Sequence, residues 1–424
     1  MAVRVLFVAE RYPPDWVGGS ELSGALVAGL VTRIPGFSTR VLTQGDGTVG
    51  DVQGVRVERT IRRAARGVPD DLTRGPLLTA RAAPTIARAA RDADVVHSLS
   101  TRAIPAVVAG ARLAGRPATS VVNDPWAMCF THSHVRGGRF CGRCTPEGLR
   151  ECVAETGGNA RAAPLLWLEF RRRMDSLSGL AGVVAIAPVM KRLLEACGAT
   201  VPITVIPVPV DIAAYDGGGS GGGGSGSGGG GGGTGRAAEP GLVTFVGRVS
   251  TGKGVLEAIG VFAEVARDRP RARFEIVGDG PMLDAARARA RELGLGDRVV
   301  FRGRLPPEAL PGELARAQLV LAPFVRVEAF GRVGLEAAAA RRPVLTTDLW
   351  GGADVLGLEP GAGVVVPWDD RTAWAAALGR MLDDPEGCTA MGLEARKRLE
   401  AIYADSALER AYRAFFEGVL AGRA

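Results

Sequence analysis

From residue 242 onward, short runs of apolar and β-branched residues alternate with helix-length amphipathic stretches. The runs at 242–246, 274–277, 299–301, 319–321, 344–346 and 363–366 read as strands, and the stretches at 255–266, 282–293, 336–340 and 372–381 as helices. In the first of these helices Val255, Ile259, Phe262 and Ala266 recur at helical spacing, and Pro270 ends the pattern. Regular strand–helix alternation predicts a parallel, doubly wound sheet. The first half repeats the rhythm less sharply, with strands expected at 3–8, 38–42, 95–97, 119–122 and 183–186, a helix over 22–31 and another before Ala93. A second domain of the same class is expected there.

Ile206, Pro207, Val208, Pro209, Val210 and Asp211 separate the halves, and proline disfavours helix both at itself and at the residue before, so this segment is the expected hinge. Residues 217–235 are glycine throughout except for Ser220, Ser225, Ser227 and Thr234, a composition with nothing to pack, read as a linker that is either a natural expansion or a replaced loop. The expected organisation is thus a domain over 1–207 with a cysteine-rich insertion at about 124–160, hinge and linker over 208–240, a second domain over 241–404, and a terminal segment 405–424.

Composition changes this picture little. With 46% apolar and 23% charged residues the chain supports packed cores rather than disorder. The longest apolar runs fall well short of the roughly 18 residues a bilayer crossing needs, and the stretch after Arg4 stops at Glu10 without a signal-peptide pattern, so a cytoplasmic location is expected. A net charge of +7 favours anionic partners. Much of the excess is arginine in Ala/Arg-rich stretches at 81–91 and 285–291 that read as solvated helix faces. Nucleic acid is therefore not expected, while peripheral contact with the inner face of a membrane stays open.

Candidate chemistry begins at the strand-to-helix turn Gly247, Arg248, Val249, Ser250, Thr251, Gly252, Lys253, Gly254, the position where backbone amides and the helix dipole favour a phosphate. A P-loop needs Ser or Thr after the lysine to hold magnesium, and Gly254 stands there, which disfavours a nucleoside triphosphatase. Gly278-Asp279-Gly280 fails the dinucleotide fingerprint, because Leu283 occupies the third glycine position. What remains is a loop offering Arg248 and Lys253 to a diphosphate, or else a turn whose two cations are merely exposed. Glu328, in a loop with Phe330 and Gly331, and Glu336, in the following helix, stand eight residues apart and can face one pocket, where carboxylates accept sugar and ribose hydroxyls.

Taken in order, Gly247-Arg248 with Lys253, then Val277-Gly278-Asp279-Gly280-Pro281, then Glu328 with Phe330, Gly331 and Glu336, then Pro343-Val344-Leu345, resemble the C-terminal domain of family 4 retaining glycosyltransferases. Pro13-Pro14 followed by Gly18-Gly19-Ser20-Glu21 is similar to that family's glycine-rich loop, and Asp94-Val95-Val96-His97, Ala187-Pro188 with Met190, and Pro207 to Asp211 extend the likeness over nearly the whole chain. The resemblance implies the GT-B fold, two facing Rossmann-like domains with a cleft between them, and a last helix around 408–420 packing back on the first domain. It implies a nucleoside-diphosphate sugar as donor and no catalytic metal. Arg248 and Lys253 would bind the diphosphate, Glu328 the donor sugar and Glu336 the ribose, so that Glu328, Arg248 and Lys253 carry catalysis. Gly18, Gly19, Gly247, Gly278, Phe330 and Gly331 complete the donor site. The leaving phosphate would itself accept the acceptor's proton, so no enzymic nucleophile is needed and catalysis is mostly positioning and charge stabilisation.

The chain departs from the family where many members carry His before Asp; here stand Asn123 and Asp124. Both are acceptor-side candidates together with His97, although Asp124 is equally a cap or turn residue and His97 a satisfied turn histidine. Gly351-Gly352-Ala353-Asp354 has Asp where Glu is more usual, and Arg342 replaces a common glycine. Cys129, Cys141, Cys144 and Cys152 crowd into one short segment and the Cys141/Cys144 pair has ligand spacing, so a structural zinc is expected, with His132 and His134 as alternative ligands and four free thiols as the other reading. The acceptor, whether lipid-linked, polysaccharide, natural product or sugar phosphate, is not encoded in these motifs. A glycoside phosphorylase of the same fold and a catalytically silent sugar-nucleotide-binding relative are the alternatives to a transferase.

Overall fold

The computed structural model describes residues 2–15, 19–52, 54–62, 74–130, 134–136, 139–141, 143–155, 158–216, 238–404 and 406–422. The chain divides into two units, Met1–Pro209 with Asp405–Ala424, and Val210–Ala404.

In the first unit, the elements run β1 (Val3–Ala9), α1 (Gly19–Arg33), β2 (Phe37–Gly45), β3 (Val49–Val52), β4 (Val55–Arg62), α2 (Arg74–Ala89), β5 (Val95–Ser98), α3 (Ile104–Leu113) and β6 (Ala118–Val122). They continue with a short hairpin, β7 (Val135–Arg136) and β8 (Arg139–Phe140), then α4 (Pro146–Glu155), α5 (Ala163–Leu177), β9 (Gly182–Ala185), α6 (Pro188–Ala196) and β10 (Ile203–Val205). Among the described residues the main sheet has the order β10-β9-β6-β5-β1-β2-β4-β3 and is parallel apart from β3, which pairs antiparallel with β4. The central strands β1, β5, β6 and β9 are almost fully buried, whereas β2 and β4 toward one edge are buried only in part. Strand order reverses at β1, whose neighbours are β2 and β5. The helix Ala407–Ala421 returns to this unit: Phe415 closes on Gly182, and Phe416 lies edge-on to Phe7, 6.5 Å between ring centroids.

The second unit is built from β11 (Leu242–Val246), α7 (Val255–Ala266), β12 (Arg273–Val277), α8 (Leu283–Glu292), β13 (Val299–Gly303), α9 (Leu310–Arg316), β14 (Leu319–Ala322), α10 (Arg332–Ala339), β15 (Val344–Thr347), α11 (Gly351–Leu356), β16 (Gly363–Val366), α12 (Arg371–Asp383) and α13 (Pro385–Ile402). Its sheet is parallel throughout, ordered β13-β12-β11-β14-β15-β16 among the described residues. Val243, Phe245, Ile259, Phe262, Phe274, Ile276, Leu319, Leu345 and Trp374 form one buried core between sheet and helices. The reversal of strand order falls between β12 and β14 on either side of β11, which marks the carboxyl ends of these strands as the place for a ligand.

One boundary differs from expectation. Segment 208–240 was read as hinge and linker, but Val210–Asp216 already belongs to the second unit. Asp216 pairs with Arg341 (2.8 Å) and Arg396 (2.7 Å), and these two guanidiniums hold its carboxyl below the usual range. Beyond the glycine run, Glu239 pairs with Arg316 (2.7 Å) and Arg273 (3.0 Å). The run 217–235 itself lies outside the described residues.

Candidate functional site

Three loops meet at the carboxyl ends of β11, β12 and β14, backbone against backbone. Gly247 N donates to Val277 O (2.9 Å), Val249 N to Asp279 O (3.0 Å) and Val325 N to Gly252 O (3.3 Å). Glycine makes the approach feasible. A Cβ on Gly278 would lie 1.8 Å from Gly247 O, and one on Gly254, whose φ is +66°, would lie 1.7 Å from Pro323 O. The result is a floor of main chain from which Lys253, in the turn before α7, and Glu328, in the loop after β14, rise toward each other.

Lys253 Nζ donates to Glu328 Oε2 at 2.6 Å, with both side chains about three-quarters covered, and the same ammonium sits 4.9 Å from the centre of the Phe324 ring. A cation held between a carboxylate and an aromatic face is positioned as well as neutralised. Arg248 is exposed on the same loop.

Glu336 is on α10, which follows Gly331 (φ +54°), and accepts from Arg332 Nε at 3.2 Å, one turn back on the same helix. Burial pushes the Glu336 carboxyl above its ordinary range, against which the Arg332 charge acts. Tyr215 is its neighbour on the other side: burial raises the phenol first and the Glu336 charge adds to it.

The glutamate loop is held by a residue that sequence reasoning missed. Trp350 Nε1 donates to Phe330 O at 2.5 Å, while Glu328 N donates to Leu349 O (2.9 Å) and Gly351 N to Glu328 O (2.8 Å). The indole is seated on three glycines. A Cβ at Gly331, Gly334 or Gly352 would lie 2.6, 2.0 or 2.3 Å from its atoms. The signal was present as a tryptophan directly before Gly351-Gly352, with small residues spaced along the preceding helix, but it marks packing and not a motif of catalysis.

In the first unit the acceptor-side candidates are more scattered in role. His97 is corrected: on β5 and fully buried, its Nδ1 lies 2.9 Å from Thr119 Oγ1 and its ring is edge-on to Phe7, Phe415 and Phe416. Desolvation pulls its pKa down to about 3, so it is a neutral core residue sealed from any acceptor. Asn123 and Asp124 follow β6. Asn123 Oδ1 accepts from Thr101 Oγ1 (2.9 Å), and Asp124 caps a short turn by accepting from Trp126 N (2.8 Å). Gly19 opens α1; Gly18 lies outside the described residues.

Of the four cysteines in this segment, Cys129 is buried and Cys141, Cys144 and Cys152 are partly so. Burial pushes Cys141 up to about 11 and Cys144 to about 12, and the neighbouring thiols of Cys129 and Cys152 add to both shifts. Cys129 Sγ accepts from His134 N at 3.4 Å. Among the described residues no group of three or more His, Cys, Asp or Glu side chains is placed to hold a metal ion, and His132 lies outside them.

Residues 233–398, which contain every element of this donor-side geometry apart from Tyr215, match the family model described as glycosyl transferases group 1. The second unit thus carries the likeness to glycosyl transferases group 1. The chain is 36% identical over 145 residues to the alpha-D-kanosaminyltransferase of Streptomyces kanamyceticus, covering 34% of this chain and 37% of that protein. It is 34% identical over 161 residues to the GDP-mannose-dependent alpha-(1-6)-phosphatidylinositol monomannoside mannosyltransferase of Mycolicibacterium smegmatis, covering 37% and 42%. These matches span about two fifths of the relatives' length. Among solved structures, Anabaena HepE in complex with UDP superposes with a TM-score of 0.68 at 17% identity, covering 98% of this chain and 100% of that one. Sucrose-phosphate synthase from Thermosynechococcus elongatus gives 0.71 at 17%, covering 99% and 100%. At such identity the likeness is one of fold, and the fold is GT-B. The matched segment carries Arg248, Lys253 and Glu328 in loops that follow strands of a doubly wound sheet, and Glu336 in α10.

Proposed function

We propose that the protein is a retaining glycosyltransferase that moves a sugar from a nucleoside-diphosphate donor to an acceptor hydroxyl, its donor site lying in the second unit. The observation that carries this reading is the Lys253–Glu328 pair on the glycine-built floor, with Glu336 one helix turn beyond Arg332. Arg248 and Lys253 would meet the diphosphate, supplying the positive charge that a divalent ion supplies in other transferases. Glu328 would accept sugar hydroxyls and Glu336 ribose hydroxyls, the latter in a desolvated setting where each hydrogen bond counts for more than in water.

As the bond from the anomeric carbon to the diphosphate oxygen breaks, negative charge grows on the leaving phosphate, where Lys253 is poised to stabilise it. The acceptor oxygen bonds to the anomeric carbon on the same face, and its proton passes to the leaving phosphate. No enzymic base is required by this scheme, which is consistent with His97 being sealed in the core. The named relatives include a GDP-mannose-dependent transferase, and the fold neighbours include a UDP complex, which support a nucleoside diphosphate without choosing its base.

The test is a thermal-shift panel of UDP, GDP, ADP and TDP with their sugar conjugates, followed by acceptor-dependent release of the nucleotide. A melting rise with one nucleotide and turnover with a hydroxyl acceptor is expected. Binding without turnover toward any acceptor would favour a catalytically silent relative, and phosphate-dependent cleavage of a glycoside would favour a phosphorylase. Product anomers read by proton NMR test retention, and an unchanged rate in chelator tests independence of a divalent metal.

A further inference from the structure

The surface of α5 in the first unit is apolar where water should favour charge. The helix buries Ala163, Leu166, Glu169, Phe170, Arg173 and Leu177 along one stripe. On the opposite stripe Leu165 and Leu168, one turn apart, are 64% and 68% exposed. Two large aliphatic side chains side by side on a solvent face cost apolar hydration that a folded chain normally avoids.

Positive charge borders them. Arg161 precedes the pair and Arg171 follows it, both exposed, while Arg172 is partly exposed and tied to the buried Glu169 (2.7 Å). Asp175, also exposed, is the acidic residue toward the end of the same face. On the same helix, Arg171 and Asp175 join the exposed Arg143 in lining a cavity of about 150 Å³ whose walls also include Trp167, Phe170 and Met174. An apolar stripe edged by arginines, next to an aromatic recess lined by two arginines and one aspartate, has the chemistry of a surface that meets anionic lipid: leucines enter the acyl boundary, and guanidiniums, in excess over the single carboxylate, pair with phosphates. Among the described residues no helix is long and apolar enough to cross a membrane, so such contact would be peripheral.

We propose that the α5 face of the first unit is a docking surface for an anionic lipid bilayer, anchored by Leu165 and Leu168 and steered by Arg161, Arg171 and Arg143. The proposal is independent of which donor or acceptor the protein uses.

The purified full chain is sedimented with vesicles of phosphatidylcholine alone and of phosphatidylcholine with phosphatidylglycerol, with circular dichroism melts confirming that each variant folds. Binding is expected only to the phosphatidylglycerol vesicles, and to fall as salt rises. Leu165→Ser with Leu168→Ser should lower partitioning at least tenfold, and Arg161→Glu with Arg171→Glu by roughly fivefold or more per arginine. Leu393→Ser, at an exposed leucine of the second unit, should change nothing. Failure of the wild type to sediment would overturn the proposal, as would full binding by the folded serine variant. Light scattering gives a further route to refutation, namely a dimer that the serine variant dissociates, because the face would then belong to a second copy of the chain.

Discussion

Lys253 and Glu328 are joined by a 2.6 Å ion pair across two loops that are 75 residues apart in the chain. A diphosphate at the same loop would compete with Glu328 for the ammonium, so the two residues should respond differently to substitution. Lys253→Ala should lower kcat/KM by roughly 100- to 1,000-fold, the range seen when one charge-stabilising donor is removed. Glu328→Gln should likewise suppress transfer, yet bind the bare nucleoside diphosphate as tightly or up to about fivefold more tightly, since a pair of this exposure is worth at most about 1 kcal/mol. Calorimetric titration with the diphosphate decides it: equal loss of affinity in both variants would mean that the pair merely braces the loops.

Trp350 should govern both stability and donor binding. Trp350→Ala removes a buried indole that spans three glycines and is expected to cost about 3–5 kcal/mol. Trp350→Phe keeps most of the packing but loses the bond to Phe330 O, about 1 kcal/mol. Denaturant titration reads both values, and the phenylalanine variant should still show weakened donor affinity because the Glu328 loop has lost its tie.

Glycine substitutions at the floor should be poorly tolerated for a steric reason. A Cβ at Gly334 would sit 2.0 Å from the Trp350 ring, so Gly334→Ala should destabilise by about 1–3 kcal/mol through overpacking. Gly312→Ala has open space around its Cβ and should change the melting temperature little.

Acid should destabilise the first unit through His97. Its folded pKa is depressed to about 3 by burial, whereas an unfolded histidine titrates near 6.5. Below 6.5 the unfolded chain binds the proton and the folded one does not, so stability is fully present above that value and is lost as pH falls toward 3. The loss between pH 6.5 and 5 should be of order 2 kcal/mol. Whatever its absolute stability, His97→Leu should show a shallower decline in melting temperature over that interval; an identical slope would assign the acid sensitivity to other groups.

The second unit was legible because its parallel strands are short, mostly apolar runs and the crossovers between them have helical spacing. Helix 255–266 matches α7 residue for residue, and 363–366 matches β16. β4 escaped notice because Val55, Val57 and Ile61 are buried while the exposed Arg56 and half-buried Glu58 alternate with the valines and the register shifts before Ile61, a half-buried pattern that reads as polar. His97 was ambiguous for a different reason. Its burial depends on Phe415 and Phe416, more than 300 residues away, and no local window contains that contact. In the same way the motif residues Lys253 and Glu328 were recognisable by type and order, but their pairing is a property of two loops brought together by strand order.

The charge clamps at Asp216 and Glu239 change what the glycine run between them can control. Asp216 is tied to Arg341 and Arg396, Glu239 to Arg316 and Arg273, and all six residues belong to the second unit. The run therefore leaves and re-enters the same body, and its length sets no distance between the two halves of the chain. Doubling such a loop costs only about 0.6 kcal/mol of closure entropy. Residues 217–237 accordingly form a natural insertion point, where a guest domain, an affinity handle or a pair of new chain ends could be placed while the sheet of the second unit keeps its order.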